Sequence, residues 1–148
     1  MKVEVKIDAK IQEPNVIIHT NKISPEITSI IELIEQSNDQ ANVLIAKKDD
    51  KSFIIEPNDA EIIRTEGGVV TLYNRKGTDF IISKGIAELE NTLGNDFIRI
   101  SKGVLVNINR VDHLSRHFNG TMYIVMKNGV NDYISRSYLN EFKKRLGL

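Results

Sequence analysis

The side chain best placed for recognition chemistry is Arg136, in the sequence Ser135-Arg136-Ser137 near the end of the chain. Apolar residues predict a strand up to residue 134, and a helical pattern begins directly afterwards, so Arg136 should lie at a helix start. The positive end of the helix dipole disfavours a cation there by about 0.3–1 kcal/mol. That cost is offset if the guanidinium and the helix start together face a phosphate or a guanine edge. The alternative is an exposed arginine paired with Asp132 or Glu141.

A second basic position lies in the connection Ser101-Lys102-Gly103. It joins two apolar runs, 97–100 and 104–108, that predict neighbouring strands, so Lys102 should project from an exposed turn. The basic run 143–145 differs, because it lies in the last turn of the final helix, where cations suit the negative end of the dipole without any ligand.

Residues suited to catalysis or metal binding are few. Of His19, His113 and His117, the last two are four apart in predicted strand and loop, where that spacing does not bring side chains to one face. The sequence has no cysteine and none of the usual nucleophile-elbow, phosphate-binding or dinucleotide-binding motifs. Gly67-Gly68 predicts a hairpin turn. We therefore expect no enzyme, no metal site and no cofactor.

Charge is distributed unevenly along the chain. The 148 residues include 20 basic and 20 acidic residues, and a net charge of zero by itself argues against a nucleic-acid partner. However, residues 1–96 hold 11 basic and 17 acidic residues, a net of −6, whereas residues 97–148 hold nine and three, a net of +6. Such asymmetry indicates a polyanionic partner for the basic part, although a soluble surface can also acquire it by chance.

The first 46 residues predict a small β-β-α-β unit. Val3, Val5 and Ile7 alternate with charged residues as in a strand, and short apolar runs at 16–18 and 43–45 predict two more. Between them, Ser24 and Pro25 begin a helix whose isoleucines at 27, 30, 31 and 34 form one apolar stripe, which should end in the polar stretch 36–40. No signal-peptide core or membrane-length apolar run occurs, so we expect a cytoplasmic protein.

From about residue 50 the sequence predicts a mostly β fold with few helices. Short apolar runs recur about every ten residues without the long crossovers that a parallel sheet needs. These runs lie at 53–55, 62–63, 69–73, 80–82, 97–100, 104–108, 111–114, 122–126 and 130–134. Asn119-Gly120 and Asn128-Gly129 predict type I′ hairpin turns. Ser83 and Ser137 are expected to cap two helices.

Several segments of this second part resemble the LytTR family of bacterial DNA-binding domains. They are 97–108, 111–114, 118–121, 127–129 and 134–138. The family shows a Phe-x-Arg start, then Ser or His before Lys or Arg, a Val-Asn end, an Asn-Gly turn, and an aliphatic-Ser-Arg-x-Tyr motif before a final helix. The resemblance covers residues 50–148. The layout, with a short N-terminal segment and no receiver domain, is similar to that of small stand-alone members.

The resemblance implies layered antiparallel β-sheets whose loops, rather than a recognition helix, enter successive major grooves of duplex DNA. The connection Ser101-Lys102-Gly103 matches the first contact region, with Lys102 at a base edge and the backbone near phosphate. Gly103 stands where the family often has serine, which removes a possible phosphate-binding hydroxyl. Ser135-Arg136-Ser137 matches the second region, with Arg136 contacting guanine through a bidentate fork.

The third region implied by the resemblance is the loop Glu66-Gly67-Gly68-Val69. Family members usually place a polar or basic side chain here, and this chain departs from that pattern. Gly67 and Gly68 could offer only backbone donors, and Val69 an apolar contact to a thymine methyl group.

The leading hypothesis is a sequence-specific transcriptional regulator that binds promoter repeats, with residues 1–46 as an N-terminal segment and 47–148 as the DNA-binding domain. The isoleucine stripe packs on its own sheet or forms a homodimer interface suited to two direct-repeat half-sites. One alternative is a non-catalytic oligomerisation or protein-interaction module that works through the N-terminal helix. Another is an RNA-binding β domain, disfavoured because 5 Phe and 4 Tyr provide no evident stacking platform.

Overall fold

The computed structural model of the protein describes residues 1–12, 15–38 and 43–148. Two compact units are present, Met1–Gln40 and Ala41–Leu148.

The first unit contains one helix, α1 (Pro25–Asn38). Its start is as predicted, since the Ile27 amide donates to Ser24 Oγ at 3.4 Å and the Thr28 amide donates to the Ser24 carbonyl at 2.9 Å. The four isoleucines at 27, 30, 31 and 34 are half-buried. The polar stretch 36–40 lies partly outside the described residues, and the helix runs to Asn38.

The two strands predicted before this helix are absent from the described residues, so the β-β-α-β prediction is wrong. Val3, Val5 and Ile7 are 83%, 81% and 95% exposed, and 16–18 is likewise not a strand. Alternation alone does not make a strand, because the backbone groups also need a hydrogen-bonded neighbour.

The third predicted strand exists but belongs to the second unit. It is β1 (Leu44–Lys48), which pairs with β2 (Lys51–Ile55) and β5 (Asp79–Ile82). The unit boundary therefore precedes β1 instead of following it at residue 46, because the hydrogen bonds of β1 go to strands later in the chain.

The second unit is built on a seven-stranded antiparallel sheet that also contains β3 (Ala60–Glu66), β4 (Val69–Asn74), β6 (Phe97–Ser101) and β7 (Val104–Asn107). The strand order is β2-β1-β5-β4-β3-β7-β6. A three-stranded sheet has the order β10-β9-β8, with β8 (Val111–Arg116), β9 (Met122–Met126) and β10 (Asn131–Ile134). Helices α2 (Ile86–Leu93) and α3 (Arg136–Arg145) complete it. The predicted mostly β, antiparallel class is confirmed.

Two hydrophobic cores form because successive strand residues point to opposite faces of the large sheet. Ile63 and Leu105 belong to the core that contains Leu89 of α2. Their neighbours Ile62 and Val106 belong to the other core, with Ile124 of β9 and Phe142 of α3. The large sheet therefore lies between α2 on one side and the small sheet with α3 on the other.

The helix caps and hairpins differ in detail from prediction. Gly85 rather than Ser83 is the N-cap of α2, and Ser135 rather than Ser137 is that of α3. Asn119 (φ 63°) and Gly120 (φ 73°) both have the left-handed conformation that a type I′ turn requires. In Asn128-Gly129 only the glycine has it (φ 87°), so that connection is not type I′.

A buried ion pair links the two sheets. Glu61 on β3 is fully buried, and its Oε1 accepts a hydrogen bond from Arg110 Nε at 2.8 Å and lies 2.7 Å from Arg110 Nη2. Its Oε2 accepts from the Asn128 amide at 2.7 Å. Arg110 precedes β8 and Asn128 lies between β9 and β10. Val111 pairs with Met126, so one carboxylate of the large sheet anchors the end of the small sheet where β8 begins and β9 ends.

Candidate nucleic-acid interface

The connection between β6 and β7 is a tight turn formed by Lys102 and Gly103. Lys102 is exposed, and its ammonium group has no partner among the described residues. The Lys102 carbonyl accepts from Arg99 Nη2 at 2.9 Å, and Arg99 Nε lies 3.3 Å from Glu90 Oε2. The turn is therefore fixed through its backbone while the Lys102 side chain extends into solvent.

The β3–β4 hairpin turn, Gly67-Gly68, lies beside this connection. Arg64 of β3 pairs with Val104 of β7, and the Thr65 amide donates to the Gly103 carbonyl at 2.8 Å. Both hairpin glycines have positive φ, 55° and 80°, as the predicted two-residue turn requires. Val69, which follows them, is 41% exposed.

The start of α3 lies at the same end of the large sheet. The Ser135 amide donates to the carbonyl of Ile100 in edge strand β6 at 2.9 Å, which places it next to Ser101. Arg136 is the first residue of the helix, as predicted, and both Arg136 and Ser137 are exposed. The structure therefore brings together the predicted residues Ser101, Lys102, Gly103, Ser135, Arg136 and Ser137, with Gly67, Gly68 and Val69 alongside.

Arg136 makes neither of the two ion pairs considered as alternatives. Its Nη2 donates to the Asn119 carbonyl at 2.6 Å. Asp132 is paired instead with Arg64, whose Nη1 lies 3.4 Å from Asp132 Oδ2. No carboxylate among the described residues pairs with Arg136, so its positive charge is available to a ligand.

A polar network next to the hairpin was missed by the sequence analysis. Arg64 contacts Glu66 and Asp132, donates to the Asn131 carbonyl at 3.1 Å, and lies 5.0 Å above the Tyr73 ring. Tyr73 Oη donates to Glu66 Oε1 at 2.7 Å. Arg64 and Glu66 are two residues apart on one strand and so share a face, a spacing that would have predicted their contact but not the contacts with Tyr73 and Asp132. The single positive charge of Arg64 partly compensates the two acidic charges of Glu66 and Asp132 beside the interface, and these contacts also occupy Arg64.

The network makes stability depend on pH. Partial burial raises the pKa of Glu66, but hydrogen bonds from Tyr73 and Arg64, with the Arg64 charge, outweigh this and lower the pKa below its ordinary 4.5. A lowered pKa stabilises the folded state above about pH 4.5, and this contribution is lost as pH falls through the lowered value. Because the Glu66 side chain is 40% exposed, we expect about 0.2–1 kcal/mol.

Glu66→Gln should remove this component of acid sensitivity. Urea unfolding between pH 3 and 7 should show a smaller loss of free energy in the variant than in the wild type. Glu88→Gln, an exposed carboxylate on α2, is the matched control and should follow the wild type. Identical pH profiles for the wild type and Glu66→Gln would contradict the stabilising role of this network.

Two further features of the described residues bear on function. No group of three or more His, Cys, Asp or Glu side chains among them is arranged to hold a metal ion. No helix in the described part of the chain has the length and apolar character needed to span a membrane.

An antiparallel β unit that presents basic turns and a helix start at one end matches a known class of DNA-binding domain. Residues 50–147 match the family model of the LytTr DNA-binding domain, and the chain belongs to this family. The predicted membership is thereby confirmed.

Known relatives cover both the whole chain and its second unit. An uncharacterized HTH-type transcriptional regulator of Staphylococcus aureus strain MSSA476 is 30% identical over 148 residues, 100% of this chain and 99% of the relative. The sensory transduction protein LytR of Staphylococcus haemolyticus is 25% identical over 97% of this chain and 56% of its own length. The structure of the LytTr DNA-binding domain of a methyl-accepting/DNA response regulator from Bacillus cereus has a TM-score of 0.67 at 21% identity. The match covers 72% of this chain and 97% of that one.

Proposed function

We propose that this protein is a transcriptional regulator that binds duplex DNA through the three turns at one end of its large sheet. The observation that carries the proposal is the convergence of Lys102 and Arg136 there, each exposed and without a carboxylate partner among the described residues. Membership of the LytTr DNA-binding family supports the same conclusion.

Each turn has a distinct task in this proposal. Arg136 forms a bidentate fork with the O6 and N7 of a guanine, and Lys102 contacts a second base edge in the major groove. The hydroxyl groups of Ser101, Ser135 and Ser137 and the nearby backbone amides contact phosphates, which fixes the register without reading sequence. Gly67-Gly68 contributes backbone amides, and Val69 offers an apolar contact to a thymine methyl group.

Recognition by turns is supported by the order of the elements. In the described chain α1 is followed by β1, and α2 is separated from α3 by five strands. No two of the described α-helices are therefore consecutive elements as in a helix-turn-helix, where the second helix enters the major groove. The two exposed turns and the start of α3 are the elements that we propose to enter the DNA.

The N-terminal unit is proposed to serve in dimerisation. Residues 1–40 hold four basic and seven acidic residues, which disfavours contact with DNA. The isoleucine stripe of α1 is a suitable surface for a second copy, and a dimer brings two DNA-binding units to two direct-repeat half-sites. Since its ligand is DNA, we propose that the protein acts in the cytoplasm.

Titration of a labelled promoter duplex, followed by fluorescence anisotropy at several salt concentrations, tests this function. Affinity should fall steeply as salt concentration rises, because the Lys and Arg side chains that contact phosphates displace condensed counterions from the DNA. Four phosphate contacts would give about a 10²-fold loss between 50 and 200 mM salt. A footprint with two protected half-sites would support the dimer. Absence of binding to any duplex at low salt would refute the function and leave a protein-interaction module as the better description.

A further inference from the structure

The turn that joins β8 to β9, Phe118-Asn119-Gly120, contacts Arg136 through its backbone. The Asn119 carbonyl accepts the only hydrogen bond that the Arg136 side chain makes within the described residues, at 2.6 Å from Nη2. We propose that this carbonyl is a positioning group that holds the Arg136 guanidinium in the orientation needed to contact a base. This inference rests on the proposed function and adds a fourth loop to the recognition surface.

The carbonyl is aimed by an uncommon backbone conformation. Asn119 has φ 63° and ψ 27°, a left-handed conformation that asparagine tolerates better than other non-glycine residues. The turn is closed by two hydrogen bonds, from the His117 amide to the Thr121 carbonyl and from Thr121 Oγ1 to the Phe118 carbonyl, each 2.9 Å. The Asn119 side chain forms no hydrogen bond within the described chain, so its identity acts through the backbone.

The contact offsets an electrostatic cost at the helix start. Arg136 is the first residue of α3, where the helix dipole repels a cation, and the negative end of the Asn119 carbonyl dipole lies against its guanidinium. A guanidinium has five N–H donors, so one contact to Asn119 leaves enough for a bidentate fork to a guanine. A side chain already held in place also loses less conformational entropy when it binds.

Substitutions at Asn119 test the positioning role because they differ in their tolerance of the left-handed conformation. Asn119→Gly retains it easily, Asn119→Ala retains it less well, and Asn119→Val opposes it. The affinity for the promoter duplex that the wild type binds in the anisotropy titration should stay within about two-fold for Asn119→Gly. It should fall by about 3- to 10-fold for Asn119→Val, with Asn119→Ala between them. Asn119→Ala also serves as the milder variant should Asn119→Val fail to fold.

The same substitutions in an Arg136→Ala background separate positioning from a general effect on folding. In that background the three variants should bind DNA equally, because the group that the carbonyl positions is gone. An equal loss in both backgrounds would overturn the inference, and so would tighter binding by Asn119→Val, which would make the carbonyl a restraint on Arg136. In either case the wild type still binds DNA. A wild type that binds no duplex would overturn the proposed function itself.

Discussion

Arg136→Ala is expected to weaken binding to the target duplex by about 5- to 150-fold, equivalent to about 1–3 kcal/mol. The guanidinium is exposed, lies at the start of α3, and has no carboxylate partner among the described residues. Its loss should also relax the preference at one base pair, since a bidentate contact to guanine is what discriminates there. Anisotropy titrations against the target and against single-base variants measure both effects.

Two matched variants make the Arg136 result specific. Arg136→Lys keeps the charge but not the planar fork, so it should retain non-specific binding and lose the base preference. Lys76→Ala removes one positive charge near the far end of β4, about 20 Å along the strand from Gly67-Gly68, and should leave target preference unchanged. An equal loss by Arg136→Ala on all sequences would mean that Arg136 contacts only phosphate.

Glu61→Ala is expected to lower the free energy of unfolding by about 3 kcal/mol. The loss of one partner of a buried ion pair costs about 3–5 kcal/mol, because the other charge is left uncompensated. We expect the lower end of this range because the Arg110 side chain remains 23% exposed and can be partly hydrated. The Asn128 amide also loses its acceptor. Urea denaturation at neutral pH measures the change.

Glu141→Ala is the control for the Glu61 variant. It removes the same charge from an exposed position on α3 and should change stability by no more than about 0.5 kcal/mol. Glu61→Gln keeps the size of the side chain and an acceptor for Asn128, so its loss should lie between those of the other two. A loss below about 1 kcal/mol for Glu61→Ala would show that the two sheets are held together without this pair.

Much of the second unit could be predicted from sequence because its signals are local. Adjacent apolar residues such as Ile62 and Ile63 within a short run indicate a strand buried on both faces, and the two lie in separate cores. The position of Arg136 at a helix start follows from the change in periodicity after residue 134. Those patterns need no knowledge of distant residues.

The parts that could not be predicted depend on partners distant in sequence. The Arg136–Asn119 bond spans 17 residues and the Arg110–Glu61 bond spans 49, and no local pattern joins either pair. The same limit explains the error at 3–7, where alternation predicted a strand that has no hydrogen-bonded neighbour among residues 1–12, 15–38 and 43–148. Likewise β1 has a local strand signal, but its pairing with β2 and β5 is what shows which unit it belongs to.

The Gly67-Gly68 hairpin is a position at which related regulators could change their DNA sequence preference. A Cβ added at either glycine would have no heavy atom within 4 Å, so the tip has room for a side chain that tolerates positive φ, such as asparagine. If the hairpin contacts DNA as proposed, its two glycines offer only backbone amides, which do not read base sequence. A single substitution there could add a side chain that reads a base, while both cores and the other turns stay unchanged. Related regulators could therefore differ in DNA sequence preference through this hairpin alone.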